Sequence, residues 1–239
     1  MLLAIPSKGR AGKVKSTAVL PSAVLYVPES EVEYYRQSNG LQTIIGVPDE
    51  VKGITKTRNW ILNNADDKRV VMIDDDVKNQ GWVRLLPEKS KHEKMTEAEW
   101  VAVCAQLFDV TEDAGWKIWG VATQSAARSV YPFKPILTRS YVTASFMGIV
   151  NDGSYLFDED FPVKEDYEIG LRHAKEYGGI VAARFCYWEN SHWGDAGGCA
   201  DYRTGQIEAY CIRMLIKKYP GQIKRVTRGG SGYSIDLEW

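Results

Sequence analysis

The pattern that most restricts the fold of this chain is a succession of short apolar runs alternating with segments of helical periodicity. Residues 2–5, 23–27, 43–47 and 70–73 read as buried strands. Between the last two, residues 54–64 read as a helix ended by an Asn-Asn-Ala-Asp-Asp turn. Strands that are continuous apolar runs need cover on both faces, which favours a mostly parallel sheet with helical crossovers. Residues 96–114 form a clearer helix, in which Thr96 and Glu99 make a capping box and Trp100, Cys104, Leu107 and Phe108 share one apolar face. Gly115 then supplies its stop.

The second half is more mixed. Residues 118–122, 141–150 and 180–188 read as strands, and 166–177 and 206–219 as helices. In the last of these, Ile207, Tyr210, Cys211, Met214 and Leu215 recur at helical spacing. Residues 141–155 read as a hairpin turned at Asn151-Asp152-Gly153, and the polar stretch 87–94 as a mobile surface loop. The expected fold class is α/β: a single domain with a mostly parallel central sheet flanked by helices, plus a smaller mixed or antiparallel part.

Composition removes several alternatives. With 239 residues, 44% of them hydrophobic, the chain is neither disordered nor fibrous. Thirty Lys and Arg against 31 Asp and Glu give a net charge of -1, which excludes a globally basic nucleic-acid binder but leaves room for a local basic face. Aromatic residues at 11% suit both core filling and stacking platforms. The four cysteines form no CxxC pair, pointing to a reducing compartment. The opening residues lack a basic leader and a long apolar run, and no stretch approaches the roughly 20 apolar residues of a membrane span. A cytoplasmic protein with no membrane partner is expected.

The sharpest chemical signal is the strand at 70–73 followed by Asp74, Asp75 and Asp76. In open parallel sheets, ligands bind at the carboxyl ends of the strands. If strand alternation continued, Asp74 and Asp76 would share one side and Asp75 the other. Three adjacent carboxylates repel one another and resist desolvation, and a divalent cation is the simplest neutraliser. Oxygen ligands select Mg²⁺ or Mn²⁺. A solvated acidic turn is the plain alternative, and the apolar run before it argues against that.

Other strand ends carry supporting residues. Pro6, Ser7, Lys8 and Arg10, with Gly9 and Gly12, offer a hydroxyl, two cations and free amides to a phosphate, although such a turn is often ordinary surface. Lys56, Arg58 and Asn59 open the helix at 54–64 and suit an anion equally as well as a structural role. Glu165 and Asp166 stand where a loop enters a helix; they are either dipole-stabilised caps or a catalytic base. His192, following a strand, is either an ordinary hydrogen-bonded residue or an imidazole completing a carboxylate metal site. Lys217, Lys218, Lys224, Arg225 and Arg228, interleaved with Tyr219 and Tyr233, form a stretch fit for phosphates and bases, or simply a solvated helix end.

In order, these motifs resemble those of the GT-A glycosyltransferases. The chain shows an Ile-Pro-Ser-Lys-Gly-Arg first strand and turn, a Thr-Lys-Thr-Arg-Asn helix start, and an apolar strand ending in Asp-Asp-Asp. A Lys-Glu-Asp helix start and a late His complete the set. The compact size and opening motif are most similar to the TET/JBP-associated glycosyltransferases, found largely in bacteriophages. The resemblance implies a metal-dependent transferase moving a hexose or pentose from a nucleotide-diphosphate donor, such as a UDP-sugar, to a hydroxyl. In that group the acceptor is thought to be a 5-hydroxymethylpyrimidine of DNA, such as 5-hydroxymethylcytosine.

Carried over, Asp76, Asp74 and His192 would hold Mn²⁺ or Mg²⁺ at a DxD motif, with Asp74 also near the nucleoside. Asp166, with Glu165 its neighbour, would be the base. Pro6, Ser7, Lys8, Arg10, Lys56, Arg58, Asn59, Asp74 and Asp75 would border the nucleotide sugar. Residues 1–122 would form the nucleotide-sugar half and 123–239 the acceptor and catalytic half. Two alternatives remain at this level: a nucleotidyltransferase, and a non-catalytic DNA- or glycan-binding module on a degenerate fold.

Overall fold

The computed structural model describes residues 1–85, 90–124, 134–191, 198–226 and 234–237. Along the chain run β1 (Leu2–Pro6), β2 (Val24–Pro28), α1 (Val32–Ser38), β3 (Ile44–Val47), α2 (Ile54–Asn64) and β4 (Arg69–Ile73). Then come β5 (Val77–Leu85), β6 (Ser90–Glu93), α3 (Glu97–Asp113), β7 (Ile118–Ala122), β8 (Ile136–Leu137) and β9 (Phe146–Val150). The chain continues through α4 (Glu165–Tyr177), β10 (Val181–Asn190), α5 (Gly205–Lys218), β11 (Ile223–Val226) and β12 (Ser234–Leu237).

Ten strands form one sheet in the order β3-β2-β1-β4-β9-β7-β10-β5-β6, with β8 pairing to β10 off this path. Neighbours from β3 to β4 are parallel, and β7 and β10 are parallel again beyond the reversed β9. These strands therefore run in one direction, as the apolar patterning implies, while β5, β8 and β9 oppose them. β11 and β12 form a separate antiparallel ribbon.

The helix boundaries at 54–64 and the capping box of Thr96 with Glu99 follow the sequence reading. Two expectations do not hold. The 141–155 hairpin is replaced by β9 alone, because β9 has β4 on one side and β7 on the other, leaving no edge for a sequence-adjacent partner. Asn151 instead donates from its side chain to the carbonyls of Leu62 and Asp67, tying the chain to the end of α2. In the stretch read as a mobile loop, residues 90–93 form β6, a strand with Lys91 and His92 exposed whose backbone pairs with β5; residues 86–89 lie outside the described residues.

Alternation along β1 and β4 divides the core between the two faces of the sheet. Leu3, Ile5, Val71 and Ile73 join Trp100, Cys104, Leu107 and Phe108 of α3. Ala4, Val70 and Met72 join Ile61 and Leu62 of α2, Met147 and Ile149 of β9, and Ile169 of α4. A third cluster packs Cys211, Ile212 and Leu215 of α5 on Phe161, Val163 and Leu171. Glycine is required where β7 and β9 pair: a Cβ on Gly148 would lie 1.9 Å from Cε2 of Trp119. His173 is fully buried, with Nε2 accepting from the Lys117 amide at 2.9 Å and Nδ1 paired to the Gly179 carbonyl at 2.8 Å. An amide can only donate and a carbonyl only accept, so the ring is the neutral Nδ1–H tautomer. Burial lowers its pKa to about 4.

Two outcomes follow. Gly148→Ala forces a methyl into the Trp119 ring and should cost about 3 kcal/mol or more, read as a lower urea midpoint at unchanged m-value. A histidine held neutral below its ordinary pKa stabilises the fold fully above pH 6.5, and that contribution fades as pH falls toward 4, since the unfolded chain then binds the extra proton. The loss should reach roughly 3 kcal/mol. It should be absent from the pH dependence of urea unfolding in His173→Gln.

Candidate functional site

The carboxyl ends of β1, β4 and β10 meet at one edge of the sheet, and the three aspartates occupy the middle of it. Pairing of β4 with β9 ends at Ile73 opposite Phe146. The next amide, that of Asp74, donates to the Ser145 carbonyl at 3.0 Å. The chain then leaves the strand. The Asp75 carbonyl accepts from the amides of Lys15 (2.8 Å) and Ser16 (3.3 Å), and the Asp76 carbonyl from that of Ser191 (3.0 Å). Beyond Ile73 each backbone unit of the acidic turn is thus held by a different segment.

Asp75 turns toward β1 and is buried. Its carboxylate accepts from the Ser7 hydroxyl at 2.5 Å and pairs with the Arg10 guanidinium. Tyr35, fully buried on α1, braces both partners: its hydroxyl lies 2.8 Å from the Ser7 hydroxyl and accepts from the Arg10 amide at 3.0 Å. Asp74 turns the other way. It accepts from Arg58 Nη2 at 2.9 Å and from Asn190 Nδ2 at 2.9 Å.

Arg58 is buried on α2, and its Nη1 pairs with Glu165, itself buried in the first turn of α4. Burial works against the guanidinium's charge, but Glu165 and Asp74 outweigh it and keep it protonated. Burial pushes the Glu165 carboxyl upward against the pull of Arg58, and the neighbouring Asp166 and Asp74 add to the rise. Arg58 thus joins the triple-aspartate turn to the Glu165–Asp166 helix start through one planar fork. Lysine, a compact charge on a flexible stem, lacks that fixed fork geometry.

Asp76 is the least neutralised of the three. The nearest Arg10 nitrogen is 4.0 Å away, and burial, Asp74 and Asp75 together raise its pKa to about 7, with Arg10 pulling the other way. Such an excess of negative charge on hard oxygen donors fits a divalent cation. Among the described residues, no group of three or more His, Cys, Asp or Glu side chains is arranged to hold an ion. A site with one or two protein carboxylates, completed by phosphate oxygens and water, is the usual form for Mg²⁺. Asp76, with the partly exposed Asp74, fits that donor set.

The other expected residues divide. Pro6 is buried and ends β1, Lys8 is exposed in the turn that follows, and Lys56 is exposed on the first turn of α2. Asn59 is buried and structural: its amide donates to the Phe157 carbonyl (2.9 Å) and Glu159 (3.1 Å), and its oxygen accepts from the Phe157 amide (2.9 Å). Asp166 is part-exposed, with Oδ1 accepting from the Tyr167 amide at 2.9 Å. His192 lies outside the described residues. In the C-terminal basic stretch, Lys217 is exposed, but Lys218 pairs with Asp158 and Glu168, each at 2.7 Å. Tyr219 is buried with its hydroxyl donating to Glu168, so it offers no stacking face. Lys224 and Arg225 fall on β11, and Arg228 and Tyr233 lie outside the described residues.

Sequence reasoning missed Tyr35, Ser16, Asn190 and Tyr202. The Ser16 hydroxyl donates to the Asp74 carbonyl at 2.5 Å. The Tyr202 hydroxyl accepts from the Ile54 amide at 3.0 Å and donates to Cys199 Sγ at 3.1 Å. With the Gly198 amide on the Lys8 carbonyl at 3.0 Å, the 198–202 segment spans from the β1 turn to the start of α2. Asn190 was detectable as a polar residue closing an apolar strand; the other three had no local signal.

Residues 1–197 match the family described as TET-Associated Glycosyltransferase. No curated protein sequence matches the chain. Among solved structures it is similar to S. aureus TarS 1-349 in complex with UDP-GlcNAc, with a TM-score of 0.55 and 10% identity over 90% of this chain and 67% of that one. A mannosyltransferase from Pyrobaculum calidifontis in complex with GDP-Man and Mn²⁺ gives a TM-score of 0.57 and 13% identity over 89% of this chain and 64% of that one. Glucosyl-3-phosphoglycerate synthase from Mycobacterium tuberculosis, with Mn²⁺, UDP-glucose and phosphoglyceric acid, gives 0.55 and 10% over 99% of this chain and 85% of that one. The chain thus spans about two thirds of the first two. At these identities the likeness is one of fold. No helix among the described residues is long and apolar enough to cross a membrane.

The buried fork makes a distinct prediction. Arg58→Met strands Glu165 without its counter-charge and should lower the unfolding free energy by about 3–5 kcal/mol. Arg58→Met/Glu165→Met, which removes both buried charges, should recover most of that loss in the same urea titration. Equal losses in the two variants would show that the pairing is not the source.

Proposed function

The chain belongs to the TET-associated glycosyltransferase family, and from that premise we propose that it transfers a sugar from a nucleotide-diphosphate donor to a hydroxyl acceptor, with a divalent ion at Asp76. The observation that carries this reading is the Arg58 fork, which brings the acidic turn after β4 and the acidic start of α4 to a single guanidinium. A glycosyl transfer needs charge control at the leaving diphosphate and a proton acceptor across the sugar, and the two acidic motifs supply candidates for each.

The donor diphosphate would lie at the carboxyl edge of β1 and β4, beside Lys8 and Arg10. Mn²⁺ or Mg²⁺, held by Asp76 with Asp74 and phosphate oxygens, would offset the charge that develops on the diphosphate. His192 would be a further ligand, as the resemblance to the GT-A enzymes implies. That UDP-GlcNAc, GDP-Man and UDP-glucose are bound by proteins of the same fold, two of them with Mn²⁺, supports a nucleotide-sugar donor.

Asp166 would accept the proton of the acceptor hydroxyl as its oxygen bonds to the anomeric carbon and the sugar–phosphate bond breaks, giving inversion. Glu165 is committed to Arg58, so its role is to orient the helix start. The acceptor we assign is the hydroxymethyl group of a 5-hydroxymethylpyrimidine in DNA, the class implied by the resemblance to the TET/JBP-associated enzymes. Residues 1–122 would serve the donor and 123–239 the acceptor. Lys217, Lys224, Arg225 and Arg228 would contact DNA phosphates, while Lys218 is already engaged.

The test is to incubate the protein with Mn²⁺, a panel of UDP- and GDP-sugars and a hydroxymethylated duplex, followed by mass spectrometry. A hexose or pentose increment with release of nucleoside diphosphate is expected. Adding nucleoside triphosphates to a parallel reaction tests the alternative: pyrophosphate release there, with no sugar increment, would indicate a nucleotidyltransferase, and binding without turnover in either reaction a non-catalytic module. Asp76→Ala should abolish Mn²⁺-dependent UDP binding. Asp166→Asn should keep that binding and lower kcat by about 100-fold or more, the scale of general-base catalysis.

A further inference from the structure

Lys164 enters α4 in the left-handed conformation, with φ 60° and ψ 22°. Among the described residues it is the only non-glycine with positive φ. That conformation is strained for a residue with a Cβ, persists only where the surroundings impose it, and clusters at functional sites. Glycine would adopt it freely, so the presence of lysine points to a use for the side chain.

That side chain is 7% exposed and runs to α5, where its Nζ lies 3.0 Å from Glu208 Oε2. Glu208 is 2% exposed and also pairs with Arg203. The Lys164 ammonium sits 5.3 Å from the centre of the Tyr167 ring, one turn into α4. Its carbonyl accepts the Glu168 amide at 3.1 Å, closing the first turn of the helix. Glu165 and Asp166 are the next two residues. Desolvating both charges offsets their attraction, so a buried ion pair of this kind is a weak source of net stability. The anchor on α5 lies beyond the 1–197 segment that matches the family.

We propose that Lys164 and Glu208 are positioning residues: their buried ion pair holds the strained entry to α4 so that Glu165 meets Arg58 and Asp166 faces the acceptor. The proposal rests on the assignment of Asp166 as the base. Neither residue need touch substrate, so their loss should act on turnover and spare donor binding.

The experiment uses the full chain and compares Lys164→Gly, Lys164→Arg and Asp166→Asn, with Mn²⁺-dependent UDP affinity measured by calorimetry and kcat and acceptor KM measured on hydroxymethylated duplex. In Lys164→Gly, which relieves the backbone strain and removes the charge, UDP affinity should stay within twofold while kcat falls at least tenfold. Lys164→Arg, which can still reach Glu208, should recover most of the turnover. If Lys164→Gly does not fold, Glu208→Gln carries the same readouts. Turnover within twofold of the parent, or parallel loss of UDP affinity and kcat, would overturn the positioning role. Asp166→Asn separates the two claims. Full turnover in Asp166→Asn removes the base assignment and with it the positioning role. An inactive Asp166→Asn beside a fully active Lys164→Gly removes only the role of Lys164.

Discussion

The site depends on one buried guanidinium. Arg58 is placed by α2, and α2 is placed by the apolar contacts of Ile61 and Leu62 with the sheet. From there its fork reaches Asp74 in the acidic turn after β4 and Glu165 at the start of α4. A charge buried to this degree is tolerated only when paired, and the two carboxylates are tolerable for the same reason. The three side chains therefore hold one another in place, and with them two loops more than 80 residues apart in sequence.

Charge in the acidic turn is divided rather than pooled. Arg10 takes Asp75, Arg58 takes Asp74, and Asp76 is left with the weakest compensation and a pKa raised to about 7 by burial and its neighbours. Protein cations thus absorb most of the repulsion among three adjacent carboxylates and leave one poised oxygen donor. This arrangement suits an ion that arrives with its ligand phosphates, since a fully compensated cluster would have no reason to bind it.

The second half of the chain returns to the first at several points. Tyr202 caps the start of α2, Gly198 bonds to the β1 turn, and Glu208 receives Lys164 at the entry to α4. Each contact comes from beyond or near the end of the family-matched segment. The C-terminal helix is therefore part of the frame that orients the site and not an appendage to it.

Local pattern was enough for much of the fold. The strands at β1, β2, β4 and β7, both ends of α2, and the capped start of α3 were legible because burial on two faces and a capping box leave unambiguous residue patterns. β5 and β6 were not, since their Lys, Asn, Gln and Glu residues carry no apolar alternation and only pairing with β10 and with each other makes them strands. At the site, the acidic turn, Glu165 and Asp166 were visible as residue types at strand and helix ends. Their division of labour was not. Whether Arg58 binds a ligand or buries itself between two acids, and whether Asn59 touches a nucleotide or braces Phe157, is decided by which distant segment lies within hydrogen-bond reach. Sequence alone determined which acidic and basic residue types stand at the ends of which strands and helices; tertiary packing decided which charges are already neutralised, because burial and pairing between remote segments set that balance and no local spacing encodes it.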